Sequence, residues 1–124
     1  MKYKIVWRRK RKKNNNGQYI AYKNRALELV LQKIAQFNLV YGFNINKITI
    51  KNQKTRWGSC SKKGNLNFNY KIALLPQRLC DYVILHELCH LGQFNHSKKF
   101  WDLVAKTMPD YKNIRKEFKK IRLR

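Results

Sequence analysis

Acidic residues are scarce in this 124-residue chain, which has 6 Asp and Glu against 29 Lys and Arg and a net charge of +23. This balance predicts attraction to polyanions such as nucleic acid, anionic lipid or phosphorylated substrates, and it does not specify a fold. A lysine-rich surface that serves only solubility explains the same composition equally well. Because 44% of the residues are hydrophobic and 13% aromatic, the composition suits a folded domain and excludes a disordered chain.

Long apolar runs, repeats and closely paired cysteines are also missing. No run approaches the roughly 18 apolar residues that a membrane span needs, and the first residues, MKYKIVWRRK, lack the apolar segment of a signal peptide. The three cysteines, Cys60, Cys80 and Cys89, form no CxxC motif. We therefore expect a cytoplasmic protein with free thiols. The length predicts one domain over residues 1–124, with a basic N-terminal arm at about residues 1–22.

Alternating apolar and polar residues predict short strands in the first half of the chain. The first strand is expected at residues 3–7, either in a frayed hairpin or in the basic arm, and a second in NKITIKN, residues 46–52. The stretch RWGSCSKKGNLNFNYKIALLP predicts a hairpin that turns at residues 62–65. Gly58 within it suggests a bulge or a close approach of another group to the backbone.

Apolar residues at helical spacing predict the remaining elements. A first helix is expected from an Asn24 N-cap to Gly42. A second begins at Pro76 and stops near Gly92, and a third starts after Ser97. A short, very basic helix follows Pro109. The order of helix, strands and then helices predicts an α+β domain.

All three histidines lie in the stretch VILHELCHLGQFNHSKKFW, residues 83–101. The second helix is apolar on nearly every face, which predicts that it is buried, and Glu87 therefore needs a compensating charge such as a metal cation. His86 and His90 are four residues apart and share one face of the helix. The HExxH pattern is typical of zinc hydrolases, in which the Glu acts on the water bound to the metal.

His96 is a candidate third ligand of the same metal ion. In a continuous helix it would lie about 15 Å from His86, too far to share an ion. The intervening GQFN lets the chain fold back, because Gly92 tolerates a left-handed conformation and Asn95 does so too. Three histidines with one open position are typical of catalytic zinc sites. Cys89 lies within the motif, but packing is the favoured interpretation of its thiol.

The motifs RWGSC, HELCH and NHSKKFW together resemble the YgjP-like metallopeptidase family, which is related to the SprT-like zinc proteases; the resemblance runs over residues 53–112. It implies a zincin-like fold with an N-terminal helix, a small sheet or hairpin, the HExxH helix and C-terminal helices. It also implies a zinc ion held by His86, His90 and His96, with Glu87 as catalytic base.

The favoured function is zinc-dependent hydrolysis of a peptide or protein substrate. We expect residues 65–70 to pair with an extended substrate, the RWGSC block to support the site helix, and Tyr111 or Arg56 to stabilise the oxyanion. Arg56 is also a candidate partner for Asp81 or Asp102. Two alternatives stay open: a metal-dependent phosphohydrolase acting on nucleotides, and a nucleic-acid-binding module with a structural zinc. The two basic ends predict nucleic-acid binding that does not depend on base sequence, and they could share one surface.

Overall fold

A four-stranded sheet and four α-helices make up the described part of the chain, residues 3–7, 17–121 and 123, in a computed structural model. The elements, in chain order, are β1 (Lys4–Trp7), α1 (Gly17–Tyr41), β2 (Lys47–Lys51), β3 (Gly58–Cys60), β4 (Asn65–Asn69), a 3-10 helix (Tyr70–Leu74), α2 (Gln77–Cys89), α3 (Lys98–Thr107) and α4 (Tyr111–Lys119). The α+β class predicted from the sequence is confirmed.

The sheet has the strand order β1-β2-β4-β3. β1, β2 and β4 are parallel, and β3 pairs antiparallel with β4, which confirms the predicted hairpin. Ile48 lies opposite Leu66 and Ile50 opposite Phe68, and all four side chains are fully buried. β1 is a parallel edge strand, so the expectation of an N-terminal hairpin is wrong for these residues.

The first helix begins at Gly17, seven residues before the predicted N-cap Asn24. The additional turns are stabilised by tertiary contacts, because Tyr19 is buried and its ring meets that of Tyr70 at 5.4 Å. Residues 17–22 of the predicted arm are therefore helical, while residues 8–16 lie outside the described part. The helix ends at Tyr41, and Gly42 follows with a φ of 69°, the left-handed conformation expected there.

The core lies between the sheet and the pair α1 and α2. Eight residues of α2 are buried and point in several directions, as the predicted all-round apolar helix requires; they are Leu79, Cys80, Tyr82, Val83, Ile84, Leu85, Leu88 and Cys89. Burial of an aliphatic side chain of this kind contributes roughly 1.5–3 kcal/mol. The helix that carries the HExxH motif is therefore held rigidly. Among the described residues, no helix is both long and apolar enough to cross a membrane.

Candidate metal centre

The three histidines converge on one point. The Nε2 atoms of His86 and His90 are 3.2 Å apart, those of His90 and His96 3.2 Å, and those of His96 and His86 3.1 Å. His86 is on the last turn of α2, His90 is the C-cap residue of that helix, and His96 is on the segment before α3. The structure therefore places His96 beside the two histidines of the HExxH motif, as predicted.

The spacing of these nitrogens fits a bound metal ion. Zinc–imidazole bonds of 2.0–2.1 Å at tetrahedral angles separate the nitrogens by about 3.4 Å, close to the 3.1–3.2 Å found here. Imidazole nitrogen is a ligand that suits zinc among other divalent transition metals. These three residues form the one group of three or more metal-ligating side chains found in the part of the chain that the structure describes.

Hydrogen bonds on the far side of two rings orient them toward this point. His90 donates from Nδ1 to the carbonyl oxygen of Gln93 at 2.9 Å, which leaves its Nε2 free to bind a metal. The hydroxyl of Tyr82 lies 3.1 Å from Nδ1 of His86. The ring of Phe100 stacks on His90 at 4.4 Å. The sequence analysis missed Tyr82, although its position four residues before His86 on a helix was a usable signal.

The turn that returns His96 does not use a left-handed Gly92. The described glycines with positive φ are Gly42 and Gly64, so that prediction is wrong. A Cβ at Gly92 would instead lie 2.7 Å from Cζ of Phe43 and 2.9 Å from Cδ1 of Leu103. A glycine is needed there because two other side chains occupy the space that a side chain would fill.

Ser97 begins α3 at the N-cap position, as predicted, but its side chain does not cap the helix. Its Oγ is buried with no hydrogen-bond partner among the described residues. The side chain of Asn95 accepts a hydrogen bond from the backbone nitrogen of Ser97 at 3.3 Å. Asn95 therefore closes a local turn around His96.

Burial shifts the pKa values of the site residues in opposite directions. It raises the pKa of Glu87 to about 7, an effect that the nearby Arg56 cation partly offsets. It lowers the pKa of His86 to about 3, with further lowering by His90, His96 and Arg115. The imidazole of His86 is therefore neutral at pH 7, the form that binds metals, and Glu87 gains or loses its proton near neutral pH.

The RWGSC block lies against the site helix, as the sequence predicted. A Cβ on Gly58 would lie 3.0 Å from Cγ of Glu87 and 3.0 Å from the carbonyl oxygen of Asn67, so the predicted close approach is confirmed. The fully buried side chain of Asn69 donates to the carbonyl oxygens of Gln53, at 2.7 Å, and Arg56, at 3.0 Å. These bonds fix the segment that leads into β3.

The same block also borders open space beside Glu87. A cavity of about 200 Å³ is lined by Arg56, Trp57, Gly58, Tyr82, Val83, His86, Glu87 and Phe118. Arg56 does not pair with either predicted acid, because Asp81 pairs with Lys33 at 3.3 Å and Asp102 with Lys98 at 3.1 Å. The block is therefore both a support for the helix and a wall of the site.

The remaining candidate residues have structural contacts. Cys89 is fully buried, in agreement with the predicted packing role. All three cysteines are free, and Cys60 is only half-buried. The ring of Tyr111 stacks on Trp101 at 5.0 Å, next to the histidine cluster.

A helix-borne HExxH motif, a third histidine returned by the following turn and a small mixed sheet define a zincin-like metallopeptidase. The sequence matches the YgjP-like metallopeptidase domain over residues 4–121, and the chain therefore belongs to the YgjP-like family. The family resemblance seen in the sequence is confirmed. No curated protein sequence matches the chain significantly.

Solved structures of two proteins share the fold. The crystal structure of the metallopeptidase zymogen abylysin of Pyrococcus abyssi is 25% identical, with a TM-score of 0.64 over 72% of this chain and 90% of abylysin. Two crystal structures of Wss1 from Saccharomyces cerevisiae, one of them a mutant, are each 15% identical. The mutant has a TM-score of 0.64 and covers 93% of this chain and 94% of its own. The other has a TM-score of 0.63 and covers 93% and 92%.

Proposed function

We propose that this metallopeptidase is a zinc enzyme in which His86, His90 and His96 hold the ion and Glu87 is the general base. The observation that carries the proposal is the convergence of the three Nε2 atoms within 3.2 Å of one another. Glu87 follows the first of these histidines on the same helix, and its pKa is raised to about 7. A base with a pKa near the working pH is the most effective at proton transfer.

When bound, a zinc ion polarises the scissile carbonyl and activates water for attack on it. In the proposed mechanism Glu87 accepts the proton of the attacking water and delivers it to the nitrogen of the leaving amine. Tyr82 and the carbonyl of Gln93 hold the imidazoles of His86 and His90 in the orientation that binding requires. Because Gly58 has no side chain, it leaves the space beside β3 that the Glu87 side chain occupies.

In this proposal an extended substrate pairs with β3, the edge strand of the sheet that lies beside Glu87. Residues 65–70 were expected to pair with the substrate, but β4 already pairs with β2 on one side and β3 on the other. That prediction is wrong, and β3 is the edge strand. Because Gly58 of β3 contacts Glu87, a peptide added to this edge would pass beside the carboxylate.

The two alternative functions have less support. A structural zinc site has a fourth protein ligand, and the histidine cluster has three members in the described part of the chain. A phosphohydrolase acting on nucleotides would use the same metal, but the family match is to a metallopeptidase domain. Peptide hydrolysis is therefore the activity to test first.

We also propose that nucleic acid binds basic residues of the chain that lie outside the catalytic site. The observation in favour is that 6 acidic residues cannot neutralise 29 basic ones. Such binding rests on counterion release and does not depend on base sequence.

The decisive experiment measures zinc content and casein hydrolysis in three proteins. The wild type should hold about one zinc per chain. The Glu87→Gln variant should keep the zinc and lose about 10²–10⁴-fold in kcat, because an amide accepts no proton from water. The double variant His86→Ala, His90→Ala should lose both zinc and activity.

Three results would contradict the proposal. Zinc retained by the double variant would place the metal elsewhere. Zinc lost from Glu87→Gln would make that residue a ligand or a structural acid. Hydrolysis of nucleoside triphosphates without hydrolysis of casein or of a mixed peptide library would favour the phosphohydrolase.

A further inference from the structure

A second cavity opens beside the histidine cluster, and residues of α4 form part of its wall. Its volume is about 470 Å³, and it is lined by Tyr82, His86, His96, Trp101, Arg115, Phe118 and Lys119. It shares Tyr82, His86 and Phe118 with the smaller cavity beside Glu87. A peptide lying along β3 and past Glu87 therefore reaches this second cavity close to the scissile bond.

Arg115 is held in a defined position on the wall of this cavity. Its guanidinium lies 4.3 Å from the centre of the Trp101 ring. That ring is itself held in a stack, with Tyr111 at 5.0 Å on an almost parallel plane and His96 at 5.9 Å. The Arg115 cation also lies near the hydroxyl of Tyr82, where it partly offsets the rise that burial causes in the pKa of that group. A planar cation fixed in this way loses little conformational freedom when it binds an anion.

The protein's own carboxylates are engaged elsewhere. The chain has six Asp and Glu, and all lie in the described part. One is Glu87, and the other five form ion pairs: Glu28 with Arg25, Asp81 with Lys33, Asp102 with Lys98, and both Asp110 and Glu117 with Arg78. None of these described pairs includes Arg115 or Lys119.

Arg115 and Lys119 are four residues apart, so they share one face of α4. The geometry points to an anion subsite formed by these two residues that takes a carboxylate of the peptide substrate near the scissile bond. This inference rests on the proposed peptidase function. The guanidinium of Arg115 supplies the planar, paired donors that match a carboxylate, and Lys119 adds a second charge at the exposed end of the cavity. The carboxylate belongs either to an acidic side chain or to the C-terminus of the peptide.

The test compares matched peptides. In the first set, peptides with Asp or Glu at each position around the cleaved bond are compared with peptides that have Asn or Gln there. In the second set, peptides with a free C-terminal acid are compared with the same peptides ending in an amide. The wild type should cleave one acidic set with a kcat/KM about 10–100-fold above that of its neutral partner, the range of one charge-assisted hydrogen bond. Arg115→Gln should abolish the preference. Lys116→Gln should keep it, because this residue is exposed on the same helix and does not line the cavity.

A binding measurement separates this inference from the proposed function. The acid and amide peptides are titrated into the zinc-loaded Glu87→Gln protein, with and without Arg115→Gln, and into the metal-free protein, with tryptophan fluorescence as readout. If the acid form binds more tightly than the amide form, and this difference depends on Arg115, the subsite is supported. If the wild type then cleaves no peptide, the proposed peptidase function is rejected and the subsite is not. Equal binding and cleavage of acidic and neutral peptides would overturn the subsite. So would an Arg115→Gln variant that slows both kinds of peptide equally.

Discussion

At the residue scale, Tyr82 is the side chain that contacts the far side of the His86 ring. Its hydroxyl contacts Nδ1 of His86, while the rest of the ring is buried against Phe118 at 5.6 Å. Removing the hydroxyl therefore leaves the packing and frees the imidazole to rotate. We expect Tyr82→Phe to weaken zinc binding by about 10–100-fold, as measured by competition with a chelator.

A matched control for this variant is Tyr70→Phe. Tyr70 is also buried and also loses one hydrogen bond, from its hydroxyl to Oε1 of Gln18 at 2.7 Å, but it lies outside the metal site. This control should bind zinc as the wild type does. Equal zinc affinity in both variants would show that the Tyr82 hydroxyl does not orient His86.

The raised pKa of Glu87 also predicts how the stability of the metal-free protein depends on pH. The folded state binds this proton more tightly, with a pKa of about 7 against an ordinary value of 4.5. Ionised Glu87 therefore destabilises the fold above pH 7, by up to about 3 kcal/mol. This cost disappears progressively as the pH falls from 7 to 4.5. Glu87→Gln should accordingly raise the Tm of the metal-free protein at pH 8 and change it little at pH 4.5.

Thermal unfolding of both proteins across this pH range, with a chelator present, checks the prediction. The difference between the two proteins isolates Glu87, because His86 and the other titrating groups are common to both. With zinc bound, the cation stabilises the carboxylate and the difference should shrink. A Tm difference that is the same at pH 8 and at pH 4.5 would contradict the assigned pKa.

At the scale of elements, the spacing between β3 and α2 sets the position of the Glu87 carboxylate. A methyl group at Gly58 would lie 3.0 Å from both Cγ of Glu87 and the backbone oxygen of Asn67. Because the Glu87 side chain yields more easily than the sheet, we expect Gly58→Ala to displace the carboxylate. Peptide hydrolysis should fall about 10–100-fold, the usual result of a small misplacement, while zinc affinity changes little.

Ser59→Ala on the same strand is the matched control. Its hydroxyl accepts from Nδ2 of Asn67 at 3.2 Å, so the variant loses a hydrogen bond without adding bulk beside Glu87. The comparison requires kcat, zinc content and Tm for each variant. If Gly58→Ala loses stability but keeps full activity per folded molecule, the close approach serves packing alone.

At the scale of the whole molecule, the described residues place β1 and α4 at different edges of the sheet. β1 and β3 are opposite edges of the sheet, three strand spacings or about 14 Å apart. α4 lies near the β3 edge, where Phe118 meets Trp57 at 5.8 Å. The described residues therefore place β1 and α4 by different edges. The six charges of residues 8–13 lie outside the described part, and the shared basic surface considered from the sequence stays a prediction.

The position of β1 at residues 4–7 determines how nucleic-acid binding should be tested. Removing residues 1–13 would also remove β1, so the six charges Arg8–Lys13 are better replaced by Gln in the full chain. Lys112, Lys116 and Lys120 of the C-terminal region are replaced in a second variant. We expect each set to weaken binding to DNA and RNA and to reduce its salt dependence in proportion to the charges lost.

Fluorescence anisotropy across a salt series, with single-stranded and duplex DNA and RNA, measures this effect. Casein hydrolysis by the variant of Lys112, Lys116 and Lys120 should match that of the wild type, because these residues do not line the cavities at the metal site. Binding that is absent at low salt, or that does not change with salt, would leave the charge of +23 as a solubilising surface.

The sequence by itself determined the features that depend on local spacing. Residues four apart on a helix face the same way, so the pairing of His86 and His90 and the all-round burial of α2 followed from the pattern. Alternation identified the strands and the β3–β4 hairpin, and Gly42 marked the end of α1. The family motifs extended this to the zincin-like fold.

Only the tertiary structure decided what depends on residues distant in sequence. Strand order made β3 the free edge in place of β4, since no local pattern specifies which strands become neighbours. A glycine is required at position 92 by the Phe43 ring and the Leu103 side chain packed against it, and not by its own backbone conformation. Arg115 reaches the histidine cluster because α4 packs across α2, and the partners of Asp81, Asp110 and Glu117 are likewise set by packing. Local propensity fixes elements, whereas burial of distant side chains against one another fixes the site.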